Sequence, residues 1–288
     1  MVAIAPFALS TPAEISMTLV SILCCFAYAG EATSPAPYSK FAKGIPKKVN
    51  IGRARTYAHT HTNAKCALTL AQFEVPTRVG MFIIYTPALL YSASSIYFTT
   101  ATLDPTMSFR PIFLFSLLFL HFLKRVLECA YVHKYSGSMD AAMSLFIGLY
   151  YTFVSYEICA CHMSKVPSDI LSSIHLYLGL CLYAVGEAGN LYHHLLLASL
   201  RTTKKPSAQY TYTVPKGGFF QFVATPHYFF ELVAWCGLAV VAQQANAYLC
   251  FVAMVSYLAG RSVSCDRWNR TNIPLYPQHR KNLVPGLW

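Results

Sequence analysis

Four polar residues share one helical stripe in an otherwise apolar run. Glu187, Asn190, His194 and Arg201 stand at i, i+3, i+7 and i+14, and the rest of that face is Leu, Ala and Gly. A carboxylate, an amide, an imidazole and a fixed cation on one face can bind a hydrogen-bonding, anionic ligand. A second group follows in Pro226-His227-Tyr228-Phe229-Phe230-Glu231, where His227 and Glu231 are four apart and Tyr228 and Glu231 three apart. These side chains adjoin on one helix face. A third set is His121, Lys124, Arg125 and Glu128, in which Lys124 and Glu128 also read as a structural ion pair. Helix–helix hydrogen bonding is the plainer reading of any one of these residues. A four-member stripe ending in Arg favours a ligand groove, because ionisable groups in apolar spans are costly and usually functional.

The elements that carry these residues are membrane helices by composition. Of 288 residues, 55% are hydrophobic and only 11% charged, with a mean hydropathy of +0.42. Soluble domains carry about 25% charge. A disordered chain, a collagen-like chain and an ordinary cytosolic enzyme are therefore excluded. Apolar runs long enough to cross a bilayer fall at roughly 13–30, 80–101, 111–131, 141–163, 169–199, 219–243 and 246–263. No Lys or Arg precedes the first, so it reads as an anchor helix and not as a secretory signal. Pro226 loosens the backbone beside the second polar group, which is tolerated where a cavity is lined. The expected fold class is all-α: a polytopic membrane protein of about seven transmembrane helices enclosing a cofactor and substrate cavity.

Charge placement supports that division. The net charge is +11, and the cations gather in the connections between spans one and two, three and four, and five and six, and in the tail. Only Arg110 and Lys165 fall on the opposite side. The positive-inside rule then places the N-terminus in the lumen and the C-terminus in the cytosol. The expected organisation is a lumenal N-terminus and first helix over 1–36 and a cytosolic loop over 37–79, with an atypical insert at about 44–76. Helices two to five follow over 80–200, then a C-terminal segment over 201–288. The insert is rich in Thr, Ala and His and lacks a helical or strand period.

Several chemistries are not signalled. Most of the ten cysteines lie in apolar segments, where Cys behaves as a small hydrophobe, and no CxxC pair occurs. No metal is expected. GxGxxG after a strand, GxxxxGK[ST], HExxH and GxSxG are all missing, so a nucleotide site would be built between membrane helices.

A series of segments, in order, resembles the steroid 5α-reductase family, which also contains the very-long-chain enoyl-CoA reductases. They are Pro37-Tyr38-Ser39-Lys40-Phe41, Gly80 to Pro87, HFLKRVLECAYVHKYSG from His121, GNLYHHLLLASLR from Gly189, YTVPKGGFF from Tyr212, PHYFFELVAW from Pro226, YLAGRS from Tyr257 and YPQHRKNLVP from Tyr276. The resemblance implies a seven-helix membrane fold that holds NADPH among the later helices and reduces a C=C bond conjugated to a carbonyl, commonly at the endoplasmic reticulum. It assigns cofactor contacts to Asn190, His194, Arg201, Tyr212, His227, Glu231 and Arg261, with Tyr38 near the nicotinamide end. Tyr228 matches the proton donor of the enoyl-CoA reductases. Steroid 5α-reductases hold the 3-keto group with a Tyr and a Glu; those positions read Phe122 and Tyr85 here. Tyr85 then replaces the clamp from the facing helix, or Tyr228 does the whole task. Family cofactor positions also depart at Cys265, His194 and Asn269.

The leading expectation is an NADPH-dependent reductase of a 3-oxo-Δ4-steroid-like lipid. The alternative is a trans-2-enoyl-CoA reductase of very-long-chain fatty acid elongation, which Tyr228 and Phe122 favour. A membrane lipid-binding or transport protein is the non-enzyme alternative. Expected partners are a hydrophobic lipid substrate, steroid or acyl-CoA, and membrane lipids. Other lipid-synthesis enzymes are further candidates, and no nucleic acid is expected.

Overall fold

The computed structural model describes residues 15, 19, 22, 27–33, 73–101, 110–163, 173–201 and 212–288. The helices are α1 (Ala27–Thr33), α2 (Thr77–Ala101), α3 (Arg110–Leu127), α4 (Ala141–Met163), α5 (Ser173–Ser199), α6 (Pro226–Ala242) and α7 (Ala245–Asn272). Tyr38 and most of the insert at 44–76 lie outside the described residues.

Helices α2 to α7 fall on the apolar runs. Among the described residues, three segments are long and apolar enough to cross a membrane: α2, Ala141–Ile158 of α4, and α7. Helix α5 has 27 residues, but Glu187, Asn190 and its histidines dilute its apolarity. Large apolar side chains point outward, with Leu90 64%, Phe146 67% and Tyr177 69% exposed. An exterior of that kind suits lipid and is rare on soluble monomers.

Two boundaries differ from the sequence expectation. Helix α6 starts at Pro226 and not near 219, after a 3-10 turn over Gly218–Gln221. Proline lacks an N–H and has φ preset, so it suits the first helical turn. Helix α7 continues past 263 to Asn272, held in its polar part by an Arg270–Asp266 pair at 2.5 Å.

One short strand pair accompanies the helices among the described residues. Glu74–Pro76 (β1) pairs antiparallel with Ser138–Asp140 (β2), Val75 opposite Met139. Three-residue strands are too short to show a period, so the sequence of the insert's end carried no sign of one. The pair is fixed by its ends: the Thr77 N–H and hydroxyl both donate to the Gly137 carbonyl, at 3.2 and 3.0 Å. Gly137 has φ +91, which suits glycine. Asp140 then caps α4, accepting from the Met143 N–H at 2.7 Å.

The core lies between α2, α3, α5 and α6, built from Phe115, Leu118, Phe122, Trp235 and Leu238. The Tyr183 hydroxyl of α5 donates to the Leu117 carbonyl of α3 at 2.8 Å. Glycine sets the closest helix pairs. A Cβ on Gly186 of α5 would lie 2.2 Å from the Ala234 backbone nitrogen of α6, and one on Gly148 of α4 would lie 2.6 Å from the Ile83 carbonyl of α2. Small residues let helices approach where lipid removes the hydrophobic drive for association. Helix α1 rests on α7, with Arg267 Nη1 donating to the Ala32 carbonyl at 3.1 Å.

Candidate active site between three helices

Helix α3 does not end cleanly. Its α-helical turns stop at Leu127, and Glu128–Val132 wind as a π-helix closed by the His133 N–H on the Glu128 carbonyl at 2.8 Å. Such turns recur at functional sites because they re-aim side chains within a continuous helix. Here Glu128 and Cys129 are both buried.

From α3 the polar network runs two ways. His121 Nδ1 meets Glu187 Oε1 at 2.5 Å, and its Nε2 lies 3.5 Å from Glu231 Oε1. Lys124 Nζ is 2.8 Å from Glu187 Oε2 and donates to Asn190 Oδ1 at 2.6 Å. Asn190 Nδ2 in turn donates to Glu231 Oε2 and to the His227 carbonyl, each at 2.9 Å. The Lys124–Glu128 pair is longer, at 3.8 Å, so the main partner of Lys124 is on α5 and not on its own helix.

Arg125 faces the other way. Its Nη2 donates to the Tyr85 hydroxyl of α2, and its Nη1 donates to Glu128 Oε2 at 3.4 Å. Glu128 Oε2 is 3.1 Å from His194 Nδ1, and His133 Nε2 lies 3.9 Å from the same oxygen. The rings of His194 and His227 are 5.5 Å apart, and those of His227 and Tyr228 4.3 Å. Three carboxylates thus meet Lys124, Arg125 and four imidazoles in the interior. Burial pushes the His133 imidazole down to about 4, the Arg125 guanidinium adding to the effect and Glu128 opposing it. It is therefore neutral at pH 7 and offers one donor and one acceptor.

Glu128, His133 and His194 bring possible metal-ligand atoms within 4.8 Å of one another. Arg125 and Lys124 already sit 3.4 and 3.8 Å from the Glu128 carboxylate. A divalent ion there would face two like charges in a poorly screened interior, so the group reads as an ion-pair network.

The structure gathers Tyr85, Asn190, His194, His227, Tyr228 and Glu231 around this network. It separates three others. Arg201 lies beyond the end of α5, exposed, with Nη1 donating to the Lys134 carbonyl. The stripe to i+14 assumed a helix that stops two residues earlier. Tyr212 packs edge-on to Trp268 with centroids 4.6 Å apart. Arg261 is 2% exposed, and its Nη1 meets Glu31 Oε2 of α1 at 3.0 Å, so it faces α1 and not α5. Sequence reasoning gave Glu187 no role beyond the stripe and passed over His133 and Glu31. Glu31 did carry a signal, as an acid at the end of an apolar run.

A family model described as 3-oxo-5-alpha-steroid 4-dehydrogenase matches residues 133–288. Among curated relatives, the chain is 31% identical over 183 residues to a polyprenal reductase of Xenopus tropicalis, covering 60% of this chain and 59% of that protein. It is 28% identical to a very-long-chain enoyl-CoA reductase of Dictyostelium discoideum, covering 58% of this chain and 55% of that protein. A 3-oxo-5-alpha-steroid 4-dehydrogenase 1 of Macaca fascicularis is 24% identical, covering 75% and 80% respectively. The chain spans less than two thirds of the first two relatives' length. The matched region begins at His133 and takes in α4 to α7 with the tail, more than half of the sequence, and on that ground the chain belongs to the 3-oxo-5-alpha-steroid 4-dehydrogenase family.

Proposed function

We propose that this chain is a multi-pass membrane reductase that uses NADPH to reduce a C=C bond conjugated to a carbonyl in a lipid, most strongly a 3-oxo-Δ4-steroid. The observation that carries the reading is the Tyr85–Arg125 pair beside the α3–α5–α6 network. The relatives' names, a polyprenal reductase, a very-long-chain enoyl-CoA reductase and a 3-oxo-5-alpha-steroid 4-dehydrogenase, support the same reaction class.

NADPH suits the donor set. Arg125 Nε and Glu128 Oε1 are buried without a hydrogen-bond partner among the described residues, which leaves capacity for a bound group. Asn190, His194, His227 and Glu231 line the same interior, and Arg201 stands exposed at its edge. Arg261 would hold a phosphate only by exchanging Glu31 for it. When bound, the dinucleotide supplies the hydride that the β-carbon receives. Charge then develops on the carbonyl oxygen, and the protein must meet it with a donor. The Tyr85 oxygen already accepts from Arg125, so its own proton is directed outward to that oxygen. Tyr228, on the adjoining turn of α6, protonates the α-carbon.

A trans-2-enoyl-CoA is the second reading. Phe122, at the position where steroid reductases carry a Tyr, is fully buried against His121 and Tyr151 and has no hydroxyl to clamp a 3-keto group. The one-sided distribution of Lys and Arg supports seven crossings of the endoplasmic reticulum membrane, N-terminus in the lumen and C-terminus in the cytosol. The deciding assay is NADPH oxidation by purified protein with a 3-oxo-Δ4 steroid and a long-chain trans-2-enoyl-CoA in parallel, wild type against Tyr228→Phe. Turnover lost in the variant identifies the reaction, and the preferred substrate chooses the branch. Wild type inert towards both would end the proposal.

A further inference from the structure

After α7 the tail folds back along residues 216–225. The Ala224 N–H donates to the Lys281 carbonyl at 2.8 Å, the Lys281 N–H to the Phe222 carbonyl at 2.9 Å, and Thr225 Oγ1 to the Asn282 carbonyl at 2.9 Å. Beside this return lies a cleft of about 420 Å³, lined by Arg270, Gln278, Arg280, Lys281, Leu287 and Trp288 among others. None of these residues belongs to the network between α3, α5 and α6.

The cations of the cleft are not equivalent. Arg270 is committed: its Nε meets Asp266 Oδ2 at 2.5 Å, and its Nη2 donates to the Arg280 carbonyl at 3.0 Å. Arg280 is not. It is 6% exposed, its Nη2 donates to the Pro215 carbonyl at 2.8 Å and it interacts with the Tyr276 side chain, but among the described residues its Nε and Nη1 are buried with no well-formed hydrogen bond. Tyr276 lies alongside, its ring centroid 5.2 Å from the guanidinium carbon, and its hydroxyl accepts from Asn269 at 3.3 Å. A buried guanidinium with two poorly satisfied donors is costly unless an acceptor arrives. Asp266 neutralises Arg270, so Arg280 and Lys281 leave the cleft net positive. Its lip is apolar: Leu287 is 81% exposed, and the Trp288 indole stands next to it. Cations at the base with an aliphatic and an indole side chain at the rim match the border between headgroups and acyl chains.

We propose that this cleft binds the phosphate monoester of an anionic phospholipid headgroup, with Arg280 and Lys281 as its ligands and Leu287 and Trp288 against the acyl chains. The inference goes beyond the reductase reading and needs only that the chain is embedded in a membrane. A nucleotide phosphate has the same chemistry as the headgroup but gives the exposed Leu287 nothing to do.

The test uses the full chain in detergent and follows its thermal midpoint against dihexanoyl phosphatidate, dihexanoyl phosphatidylcholine, inorganic phosphate and NADPH. Phosphatidate should raise the midpoint saturably and phosphatidylcholine should not. Lys281→Gln should weaken phosphatidate about fivefold, as one interfacial cation does. Leu287→Ser should weaken phosphatidate while leaving inorganic phosphate unchanged. These two residues are exposed, so the outcome does not depend on whether an Arg280 variant folds. Equal phosphatidate affinity in wild type and both variants would overturn the proposal. So would displacement of phosphatidate by NADPH with both weakened alike in Lys281→Gln, which would assign the cleft to a nucleotide phosphate.

Discussion

Arg125 holds Tyr85 in two ways at once: Nη2 donates to the phenolic oxygen, and the guanidinium carbon stands 4.7 Å from the ring centroid. Tyr85 is buried and Arg125 half-buried between α2 and α3. Because the oxygen already accepts from a cation, its proton is left to donate elsewhere, and anionic charge that builds on the phenol is met by the same cation.

This pairing makes the two residues one unit in the proposed reaction. Tyr85→Phe should lower kcat about 100-fold with little change in KM, the usual effect of removing one oxyanion donor. Arg125→Gln should fall by a similar factor, and the double variant should be no worse than the poorer single one. NADPH oxidation with the preferred substrate reads all three. Losses that multiply would show that the residues act separately.

Lys124 compensates Glu187 across the α3–α5 contact. Lys124→Met leaves that carboxylate with His121, and because the two side chains are 16% and 15% exposed the loss should be about 2 kcal/mol, below the range for fully buried pairs. Lys124→Met with Glu187→Leu removes both charges and should recover a large part of that loss. Thermal midpoints of the two single variants and the double give the coupling. A double variant as unstable as the sum of the singles would mean that the pair contributes nothing of its own.

The contact between α5 and α6 has no room for a methyl group at Gly186. Gly186→Ala should destabilise by about 3 kcal/mol, as overpacking against backbone does. Gly30→Ala is the matched control, because a Cβ there meets nothing within 4 Å. The control should be neutral or slightly stabilising, since Ala favours helix over Gly by about 1 kcal/mol. Circular-dichroism melts in detergent compare the two.

His133 gives a pH window. Its imidazole is held at about 4 in the fold, first by burial and then by Arg125, against 6.5 when free. A depressed folded value means that the unfolded chain takes the proton more readily between those limits. The stability it contributes is therefore whole above pH 6.5 and falls as pH drops towards 4. The groups around it, Glu128, Arg125, Arg201 and Lys124, are unchanged in His133→Asn. That variant should lose less of its thermal midpoint than wild type between pH 6.5 and 4, and an identical slope would show that His133 is not the titrating group.

Apolar run length located helices α2 to α5 within about four residues, because crossing a bilayer demands about 20 apolar residues whatever their neighbours are, while it missed the start of α6 at Pro226 and the end of α7 at Asn272. The i, i+3, i+7 spacing likewise put Glu187, Asn190 and His194 on one face. What spacing could not give was the partner. His121 reaches Glu187 and Lys124 reaches Asn190 across 66 residues of chain, a pairing decided by how far the glycines let two helices approach and how each is rotated. The π turn at Glu128 shifts that rotation without any mark in composition. Arg261 joined the cofactor set through the family resemblance, and spacing gave no sign of its pair with Glu31 at 3.0 Å. Arg201 followed from extending a helix that ends at Ser199.

Gly148 locks α4 to α2 and Gly186 locks α5 to α6, so the bundle amounts to two stiff leaves with α3 as the spine between them. Helix α7 adds a second link, Asn246 donating to Glu157 of α4 at 3.2 Å, but the cations that reach both leaves lie on α3. The two consecutive residues there hold opposite leaves, Arg125 gripping Tyr85 on one and Lys124 gripping Glu187 on the other. One charged turn therefore ties both leaves to the candidate site, so in the proposed reaction any parting of the leaves would also disturb the Tyr85–Arg125 pair.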